Sequence, residues 1–385
     1  MSKINDLVKE LCPNGVEYQK LGNLLDYIQP SKYIVKYTNY KHQYNIPVLT
    51  AGQTFILGYT NEDDGIYEAS KECPVIIFDD FTTSNKWVDF RFKVKSSAIK
   101  MLVPKTKDIL KYIYYCMNNI KYYPKEHSRQ WIQTYSQFEI PLPPIEVQEE
   151  IVKILDKFGT LEAELEAELE ARKSQYEFWR GKLLNTGNSN QQYITLGDIG
   201  KVCMCKRVMK NETSDSGDVP FYKIGTFGKQ ADAYISYNIF SDYKKRFSYP
   251  KKGEILVSCS GTIGRSVVFN GNDSYFQDSN IVWLSNDESK ILNKFLYYFY
   301  QTSPWNISNG GTIKRLYNNQ FISTKVPLYS LEEQKRIVSI LEHFDKLIND
   351  ISEGLPAEIK LRRKQYEYYR NKLLSFKEQS NYEEN

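Results

Sequence analysis

Histidine is scarce in this sequence, and the cysteines are scattered. There are 3 His and 6 Cys among 385 residues. The one close cysteine pair, Cys203 and Cys205, has no histidine or further cysteine at ligand spacing. A structural zinc site needs four such ligands at short, regular intervals. We therefore expect no metal bound by this chain, and reduced thiols of the kind common inside cells.

Long apolar runs and a strong net charge are also missing. The first residues, MSKINDLVKELCPNG, lack the apolar core of a signal peptide, and no stretch approaches the roughly 20 apolar residues that cross a membrane. The formal net charge is only +4, so any surface that binds nucleic acid has to be a local patch. We expect a cytoplasmic protein.

Sequence motifs of catalysis are absent too. The chain has no glycine-rich phosphate loop ending in Gly-Lys-Ser/Thr, no Asn/Asp-Pro-Pro-Tyr segment and no His-Glu-x-x-His. The nearest approximations fail, because Gly261 to Arg265 lacks the phosphate-binding lysine and 358–360 (Glu-Ile-Lys) has no acidic metal partner in a strand context. We expect no enzyme active site and no cofactor bound by this chain.

One long unit is present twice. IPLPPIEVQEEIVKILDKF at 140–158 matches KVPLYSLEEQKRIVSILEHF at 325–344. The similarity resumes at 175–184 and 365–374, where Gln-Tyr-Glu is followed by a shared Arg and Lys-Leu-Leu. Two copies are too few for a solenoid. Their spacing of about half the chain predicts a duplicated protein with two similar halves.

The first copy has the pattern of a long helix. Apolar residues recur at steps of mostly three and four from Val147 to Leu184, which is typical of one helix face. Such a helix would be roughly 55 Å long at 1.5 Å per residue. Within it, Leu-Glu-Ala-Glu at 161–164 is repeated at 165–168 and begins again at 169.

The second copy predicts two helices and a kink. Ser330 to Glu333 has the Ser-x-x-Glu arrangement of an N-terminal capping box. Gly354 and Pro356 then interrupt the pattern. We expect one helix over 331–352 and another over 356–375.

Each copy has an apolar face that needs a long partner, and the other copy supplies one. We therefore expect an antiparallel coiled coil, which would also bring the acidic block at 162–170 towards the basic block at 360–364. The alternative is that both blocks are solvated helix faces. The residues expected at interfaces of the helical copies, with each other or with a partner, are Gln148, Ile151, Leu155, Phe158, Leu161, Leu165, Leu169, Gln334, Ile337, Leu341, Phe344 and Tyr366.

The segments before each copy share landmarks but differ in most other residues. The first contains β-like runs at 45–49, 74–78 and 90–94 and a helical pattern around 108–117. The predicted fold class is α+β, with two mixed α/β domains separated by two long antiparallel coiled-coil helices in a pseudo-two-fold internal repeat. The predicted segments are a first variable domain at 1–140 with a short N-terminal helix at 1–12, a central helical spacer at 141–184, a second variable domain at 185–325, a distal helical spacer at 326–376 and a polar tail at 377–385.

Along essentially its whole length the chain resembles specificity subunits of type I restriction-modification systems. The two helical copies carry the resemblance, together with EILVSCSGTIGRSVVF at 254–269 and NGGTIKRLYNNQF at 309–321. It implies that the variable domains are target recognition domains and that the chain reads a bipartite, asymmetric site in double-stranded DNA without catalysis of its own. It also implies two methyltransferase subunits and, for cleavage, two restriction subunits as partners. S-adenosylmethionine, ATP and magnesium are then expected on those partners.

Candidate DNA contacts are polar, basic or aromatic residues in loops. Arg pairs bidentately with guanine and Gln with adenine, whereas Lys, Thr and Ser more often contact phosphate. An ordinary solvated surface position is the alternative for each residue. In the first variable domain the candidates are Thr82, Thr83, Ser84, Asn85, Lys86, Arg129, Gln130 and Trp131, and in the second they are Lys206, Arg207, Thr262, Arg265, Lys314 and Arg315.

Three functions stay open. The favoured one is the DNA-reading scaffold of a type I methyltransferase and restriction complex. A protein–protein adaptor whose variable domains bind peptides would instead lack salt-sensitive affinity for DNA. A specificity module of a related two-component restriction enzyme, or a spare copy exchanged by recombination, would be distinguished by the neighbouring genes.

Overall fold

The computed structural model describes residues 2–50, 54–184, 191–307, 314–350 and 352–379. The chain forms a first unit, Met1–Leu165 with Ile359–Asn385, and a second unit, Glu166–Glu358. Within the described ranges, no helix is long and apolar enough to cross a membrane. The same residues contain no group of three or more His, Cys, Asp or Glu placed to hold a metal ion.

The helices follow the periodicity of the sequence. The first copy is one helix of 40 residues, about 60 Å long, and the second copy is divided into two. At the start of the latter, the hydroxyl of Ser330 accepts the N–H of Glu333, as the capping pattern predicts. The helices are α1 Ser2–Leu11, α2 Leu21–Leu24, α3 Leu110–Asn119, α4 Ile145–Leu184, α5 Tyr237–Arg246, α6 Asn293–Tyr300, α7 Asn318–Ile322, α8 Leu331–Asn349 and α9 Leu355–Leu373.

The strands are short, and the central strands β3, β5 and β14 are buried along their whole length. In the first unit they are β1 Glu17–Lys20, β2 Leu25–Ile28, β3 Ile46–Leu49, β4 Ile56–Thr60, β5 Val75–Asp79, β6 Asn85–Val88, β7 Lys93–Val94, β8 Ile99–Pro104 and β9 Glu139–Leu142. In the second unit they are β10 Tyr193–Thr195, β11 Gly200–Cys203, β12 Val219–Tyr222, β13 Tyr234–Ile235, β14 Ile255–Ser258, β15 Ser266–Val268, β16 Tyr275–Phe276, β17 Ile281–Asn286 and β18 Lys325–Pro327.

The two units have the same sheet topology. The strand orders are β2-β8-β5-β6, β4-β3-β7 and β1-β9 in the first unit, and β11-β17-β14-β15, β13-β12-β16 and β10-β18 in the second. Pairing directions agree as well, since β3 and β12 are each antiparallel to one neighbour and parallel to the other. The predicted α+β class and internal repeat are confirmed, even though the strand sequences differ.

In the first unit, α4 and α9 pack antiparallel. Phe158 stacks on Tyr369 with ring centroids 5.4 Å apart, and Glu162 forms an ion pair with Arg363. The partner's residue number falls as the number along α4 rises, which defines the antiparallel direction. The same core contains Ile151 of α4 and Phe78 of β5, so α4 and the four-stranded sheet share one apolar interior.

In the second unit, the later part of α4 packs antiparallel to α8. Tyr176 lies beside Phe344 with ring centroids 6.3 Å apart, and the Tyr329 hydroxyl donates to the carbonyl oxygen of Leu183 at 3.2 Å. Ile337 of α8 is buried in the core of this unit. The predicted antiparallel packing of the helical copies is therefore present in each unit.

The middle of α4 differs from the expectation. Leu161 is 37% exposed, although the spacing of leucines predicts that it packs at an interface. Glu168 and Glu170 pair with Arg172 and Lys173 of the same helix, so part of the acidic block forms pairs along α4 itself. Short-range pairs of this kind are expected on a solvated helix face.

Candidate nucleic-acid interface

Each unit has a turn at the end of the central strand of its four-stranded sheet. In the first unit, β5 leads through 80–84 into β6, and in the second β14 leads through 259–265 into β15. The registers of the central strands with their neighbours make Asp80 equivalent to Cys259. Because strand ends at a sheet edge place their loops side by side, residues of these turns are candidates for contact with a large ligand.

An arginine lies beside this turn in both units. The N–H of the residue after Arg129 donates to the carbonyl oxygen of Asp80 at 2.7 Å. The N–H of the residue after Arg315 donates in the same way to the carbonyl oxygen of Cys259 at 2.9 Å. Arg129 and Arg315 are therefore structurally equivalent.

The two guanidinium groups are held in the same way. Arg129 donates from Nη1 to the carbonyl oxygen of Ser97 at 3.3 Å, and Arg315 donates from Nη2 to that of Ser279 at 2.8 Å. Both serines lie two residues before a sheet strand, β8 or β17. A guanidinium has five N–H donors in a planar arrangement, so both arginines keep donors for a base edge or a phosphate beside these contacts.

In the first unit, aromatic rings and a carboxylate surround the arginine. The guanidinium carbon of Arg129 lies 5.6 Å from the ring centroid of Phe81, which stacks on His127 at 4.6 Å. Arg129 also pairs with Asp80 at 3.2 Å, and its side chain is 50% exposed. The group is thus oriented by stacking and charge while half of it faces solvent.

In the second unit, a short loop before β17 gathers polar side chains. Arg207 donates from Nε to Asp278 at 2.9 Å, and the hydroxyl of Ser260 donates to the side-chain oxygen of Asn280 at 2.9 Å. These contacts lie on either side of the carbonyl group that binds Arg315. Two arginines from separate segments are therefore brought to one loop.

A polar groove adjoins this loop. It has a volume of about 590 Å³ and is lined by Arg207, Lys210, Lys223, Asp215 and Asp278, among others. Its lining contains both cationic and carboxylate side chains, so it offers both donors and acceptors. Base edges in a DNA groove present the same mixture of donors and acceptors.

The charge beneath the two arginines differs. Asp80 is fully buried and lies 3.4 Å from the ammonium group of buried Lys100. In the second unit, Cys259 and Val282 take these two positions. Burial raises the pKa of Cys259 to about 11, so the thiol is neutral at pH 7. Arg315 thus lies beside a neutral group, whereas a carboxylate partly compensates the charge of Arg129.

Four predicted contacts of the first variable domain have buried side chains, so these side chains offer no surface for DNA in this structure. Trp131 is 2% exposed and packs on Phe78 with ring centroids 5.1 Å apart. Gln130 is 4% exposed, and its carboxamide is bonded to Ser128 and Tyr122. The other two buried side chains are Thr83 and Asn85.

The remaining candidates of the first variable domain lie at the surface near Arg129. Thr82, Ser84 and Lys86 are exposed. Thr82 and Ser84 lie in the turn, where Asp79 accepts the Thr82 hydroxyl at 2.6 Å, and Lys86 lies in β6. They stay predictions as DNA contacts. The turn that contains Thr82 and Ser84 is equivalent to 259–265 of the second unit.

The candidates of the second variable domain divide into those near the loop and those turned elsewhere. Arg265 donates to the carbonyl oxygen of Phe227 at 2.8 Å, and the ammonium group of Lys206 lies 5.3 Å from the ring centroid of Phe247. Thr262 and Lys314 are exposed. Part of the glycine-rich motif, at 308–313, lies outside the described residues.

Sequence reasoning missed the residues that hold the arginines. Asp80, Ser97 and Ser279 stand out only once the sheet registers are known, because each is separated from its arginine by more than 30 residues. The apolar run that ends in Asp79 and Asp80 was a usable signal. Two carboxylates directly after a buried strand need partners.

The two units repeat one sheet topology on repeated helices, and comparisons with known proteins identify the family. The type I restriction modification DNA specificity domain matches residues 13–171 and 188–361. A putative type I restriction enzyme specificity subunit of Haemophilus influenzae is 43% identical over 384 residues, covering 96% of this chain and 98% of that protein. The specificity subunit of an Escherichia coli type I restriction enzyme is 41% identical over 401 residues, covering 98% of each.

Solved structures agree at the level of the fold. The crystal structure of a type I restriction-modification S subunit from M. genitalium has a TM-score of 0.54 at 14% identity, covering 94% of this chain and 96% of that one. A chain from a study of complex assembly in a type I system has a TM-score of 0.55 at 15% identity, covering 94% and 98%. The chain belongs to the specificity subunits of type I restriction-modification systems, and its two repeated domains are DNA specificity domains.

Proposed function

We propose that this subunit reads a bipartite, asymmetric DNA site, with one half-site recognised by each unit. The observation that carries the proposal is the equivalence of Arg129 and Arg315 within one repeated topology. The framework is shared, while the residues around each arginine differ. A shared framework with different contact residues favours two half-sites of different sequence, read at a defined separation.

The charge difference beneath the arginines supports different half-sites. A carboxylate next to Arg129 and a neutral thiol next to Arg315 give the two guanidinium groups different local potentials. Arginine binds guanine O6 and N7 bidentately, with about 1–3 kcal/mol of discrimination against another base. The hydrogen-bond donors and acceptors beside each arginine determine which other bases of the half-site are recognised.

The subunit itself has the role of a scaffold in this proposal. It joins two methyltransferase subunits and, for cleavage, two restriction subunits. The complex methylates adenine and cleaves DNA in an ATP-dependent reaction, while this chain carries out no chemistry. S-adenosylmethionine, ATP and magnesium are bound by the partner subunits.

The helical repeat supports binding of two copies of one partner. Phe178 of α4 and Tyr368 of α9 are at matching places in the repeat, in QYEFWR and QYEYYR. Both are exposed, at 63% and 61%. Aromatic side chains are enriched at protein–protein interfaces. A surface that occurs twice fits two methyltransferase subunits.

Expression of the chain with its methyltransferase, followed by genome-wide mapping of methylated adenines, tests the function. We expect a motif of two specified half-sites separated by a fixed number of unspecified base pairs. A contiguous motif would overturn the bipartite reading. Methylation that does not depend on this chain would overturn the role in specificity.

A further inference from the structure

A buried glutamine is present at matching positions of the two helical copies. Gln148 of α4 and Gln334 of α8 are both 0% exposed. Glutamine is mostly exposed in proteins, and a buried carboxamide is costly unless its donors and acceptor are satisfied. Both side chains lie where the spacer helix meets the recognition domain of the same unit.

In the first unit, the glutamine joins the start of α4 to the start of α3. Its Oε1 accepts the N–H of Ile109 at 3.1 Å, and its Nε2 donates to Asp108 at 2.9 Å and to the carbonyl oxygen of Pro143 at 2.9 Å. Ile109 is the N-cap residue of α3, and its apolar side chain makes no capping hydrogen bond to the helix. Gln148 therefore satisfies a helix-end donor of another element.

In the second unit, two of the three contacts recur, and the third acceptor is a backbone carbonyl oxygen in place of the Asp108 carboxylate. Oε1 of Gln334 accepts the N–H of Leu292 at 2.8 Å, and Nε2 donates to the carbonyl oxygens of Lys290 and Tyr329 at 2.8 and 2.9 Å. Leu292 immediately precedes α6. A three-bond arrangement has thus been retained while the surrounding side chains changed.

An ion pair accompanies each glutamine. Lys111 of α3 lies 3.9 Å from Asp156 of α4, and Lys294 of α6 lies 2.5 Å from Glu342 of α8. Such partly exposed pairs contribute little and have loose geometry. Three hydrogen bonds of a buried carboxamide fix both distance and direction. The glutamine therefore supplies the directional contacts of the joint, by which we mean the packing of α4 on α3 in the first unit and of α8 on α6 in the second.

The joint lies between the spacer helix and the sheet whose β5–β6 turn contacts the arginine. The core of the first unit contains Ile151 of α4, Tyr112 of α3 and Phe78 of β5. Phe78 lies two residues before Asp80, which contacts Arg129. A tilt of α3 on α4 therefore moves the candidate DNA contacts relative to the spacer helix.

We infer that Gln148 and Gln334 are positioning residues that fix the angle of each recognition domain on its spacer helix, and so restrict the number of base pairs allowed between half-sites. This inference rests on the proposed reading of two half-sites. Apolar packing is non-directional, and it holds the packed elements together whether or not the two glutamines are present. The hydrogen bonds of the two carboxamide groups select one orientation of the packed elements.

The test replaces the amide without changing side-chain length. Gln148→Met and Gln334→Met are each expressed with the methyltransferase, and methylated sites are sequenced. Gln29→Met, at an exposed position of the first unit where the side chain makes no capping bond, is the matched control. The measured quantity is the ratio of methylation at sites one base pair shorter or longer to methylation at sites of the wild-type spacing.

Both buried variants should raise this ratio about tenfold, a change that corresponds to about 1.4 kcal/mol, while the half-site sequences stay the same. The control should match the wild type. General destabilisation would lower methylation at all sites together and leave the ratio unchanged. A folded variant that methylates only sites of the wild-type spacing overturns the inference.

A second pair of variants covers failure to fold. Gln148→Asn and Gln334→Asn keep a polar amide that is one methylene too short to reach all three partners, so the ratio should rise again. Unchanged spacing in these folded variants overturns the inference as well. A wild-type chain that methylates a contiguous motif overturns the proposed function instead, and the two failures are thereby distinguished.

Discussion

At the scale of single residues, one position of the repeat is ionic in the first unit and neutral in the second. Asp80 and Lys100 form a buried pair, whereas Cys259 and Val282 fill the equivalent positions. A buried ion pair and a well-packed apolar pair of similar volume can give comparable stability, but breaking the ion pair leaves an uncompensated charge. The two units therefore have an ion pair and a neutral pair at equivalent positions of the same sheet topology.

Asp80→Cys should therefore destabilise the first unit by about 3–5 kcal/mol. Adding Lys100→Val should recover part of that loss, because no buried ammonium group then lacks its partner. Urea unfolding of both variants measures the difference. The reverse result, in which the double variant is less stable than Asp80→Cys alone, would contradict the account of this pair.

Arg129→Ala and Arg315→Ala should each relax one half-site and leave the other unchanged. Removal of a bidentate contact to guanine weakens discrimination at that position by about 1–3 kcal/mol. Methylome sequencing of each variant with the methyltransferase measures it. Arg246→Ala is the control, since Arg246 pairs with Asp242 along an exposed face of α5. Loss of both half-sites together from either variant would contradict separate reading.

Lys314→Ala has a different expected effect. An exposed lysine that contacts phosphate contributes counterion release but little sequence preference. Its loss should weaken binding to all sites alike and reduce the salt slope by about one unit. Binding isotherms at several salt concentrations give that slope. An unchanged slope would remove phosphate contact as its role.

The predicted site residues show how far a sequence alone leads at this scale. Arg129 and Arg315 were identified because they are basic residues in loop patterns. Trp131 and Gln130 were included by the same reasoning, although they are buried. Side-chain direction in a loop depends on contacts with distant segments, here Asp80, and local sequence does not specify those contacts.

At the scale of elements, the helices were predicted better than the strands. A periodicity sustained from Val147 to Leu184 predicts a single long helix, and the bounds of α4 agree with it. Strands such as β5 are buried on both faces, so they lack the alternation that identifies a half-buried strand. The order of strands in the sheets depends on long-range pairing, which the sequence of one segment does not contain.

The backbone packs closely around Gly354 at the start of α9, and this close packing can be tested. A Cβ added at Gly354 would lie 2.6, 2.8 and 2.7 Å from the carbonyl oxygens of Lys346, Leu347 and Asp350. Gly354→Ala should therefore lower stability by about 1–3 kcal/mol. Gly159→Ala is the matched control, because a Cβ there meets nothing within 4 Å, and alanine should stabilise the helix by about 1 kcal/mol. Thermal unfolding of both variants gives the sign.

At the scale of the whole molecule, the repeat predicts modular behaviour. Replacing 193–325 with the corresponding domain of another specificity subunit should alter one half of the methylated motif only. Each unit contains its own sheets and core, so exchange of one leaves the other intact. Methylome sequencing of the chimaera is the measurement, and changes in both halves would contradict modularity.

The tandem Leu-Glu-Ala-Glu segments within α4 allow the distance itself to be tested. Four residues are nearly one full turn, so deleting 165–168 shortens the helix by about 6 Å and changes its phase by only about 40°. The apolar face facing α8 and α9 is therefore largely kept. DNA base pairs are stacked about 3.4 Å apart, so the unread spacer should become one or two base pairs shorter while both half-sites remain the same.

Inserting one further Leu-Glu-Ala-Glu should lengthen the spacer by the same amount. A variant with Glu164→Ala and Glu168→Ala keeps the helix length and removes charge, so its spacer should equal that of the wild type. Methylated sites are sequenced from cells that carry each variant with the methyltransferase. If an active deletion variant methylates sites of unaltered spacing, α4 does not set the distance between half-sites, because its length changed and the spacing did not.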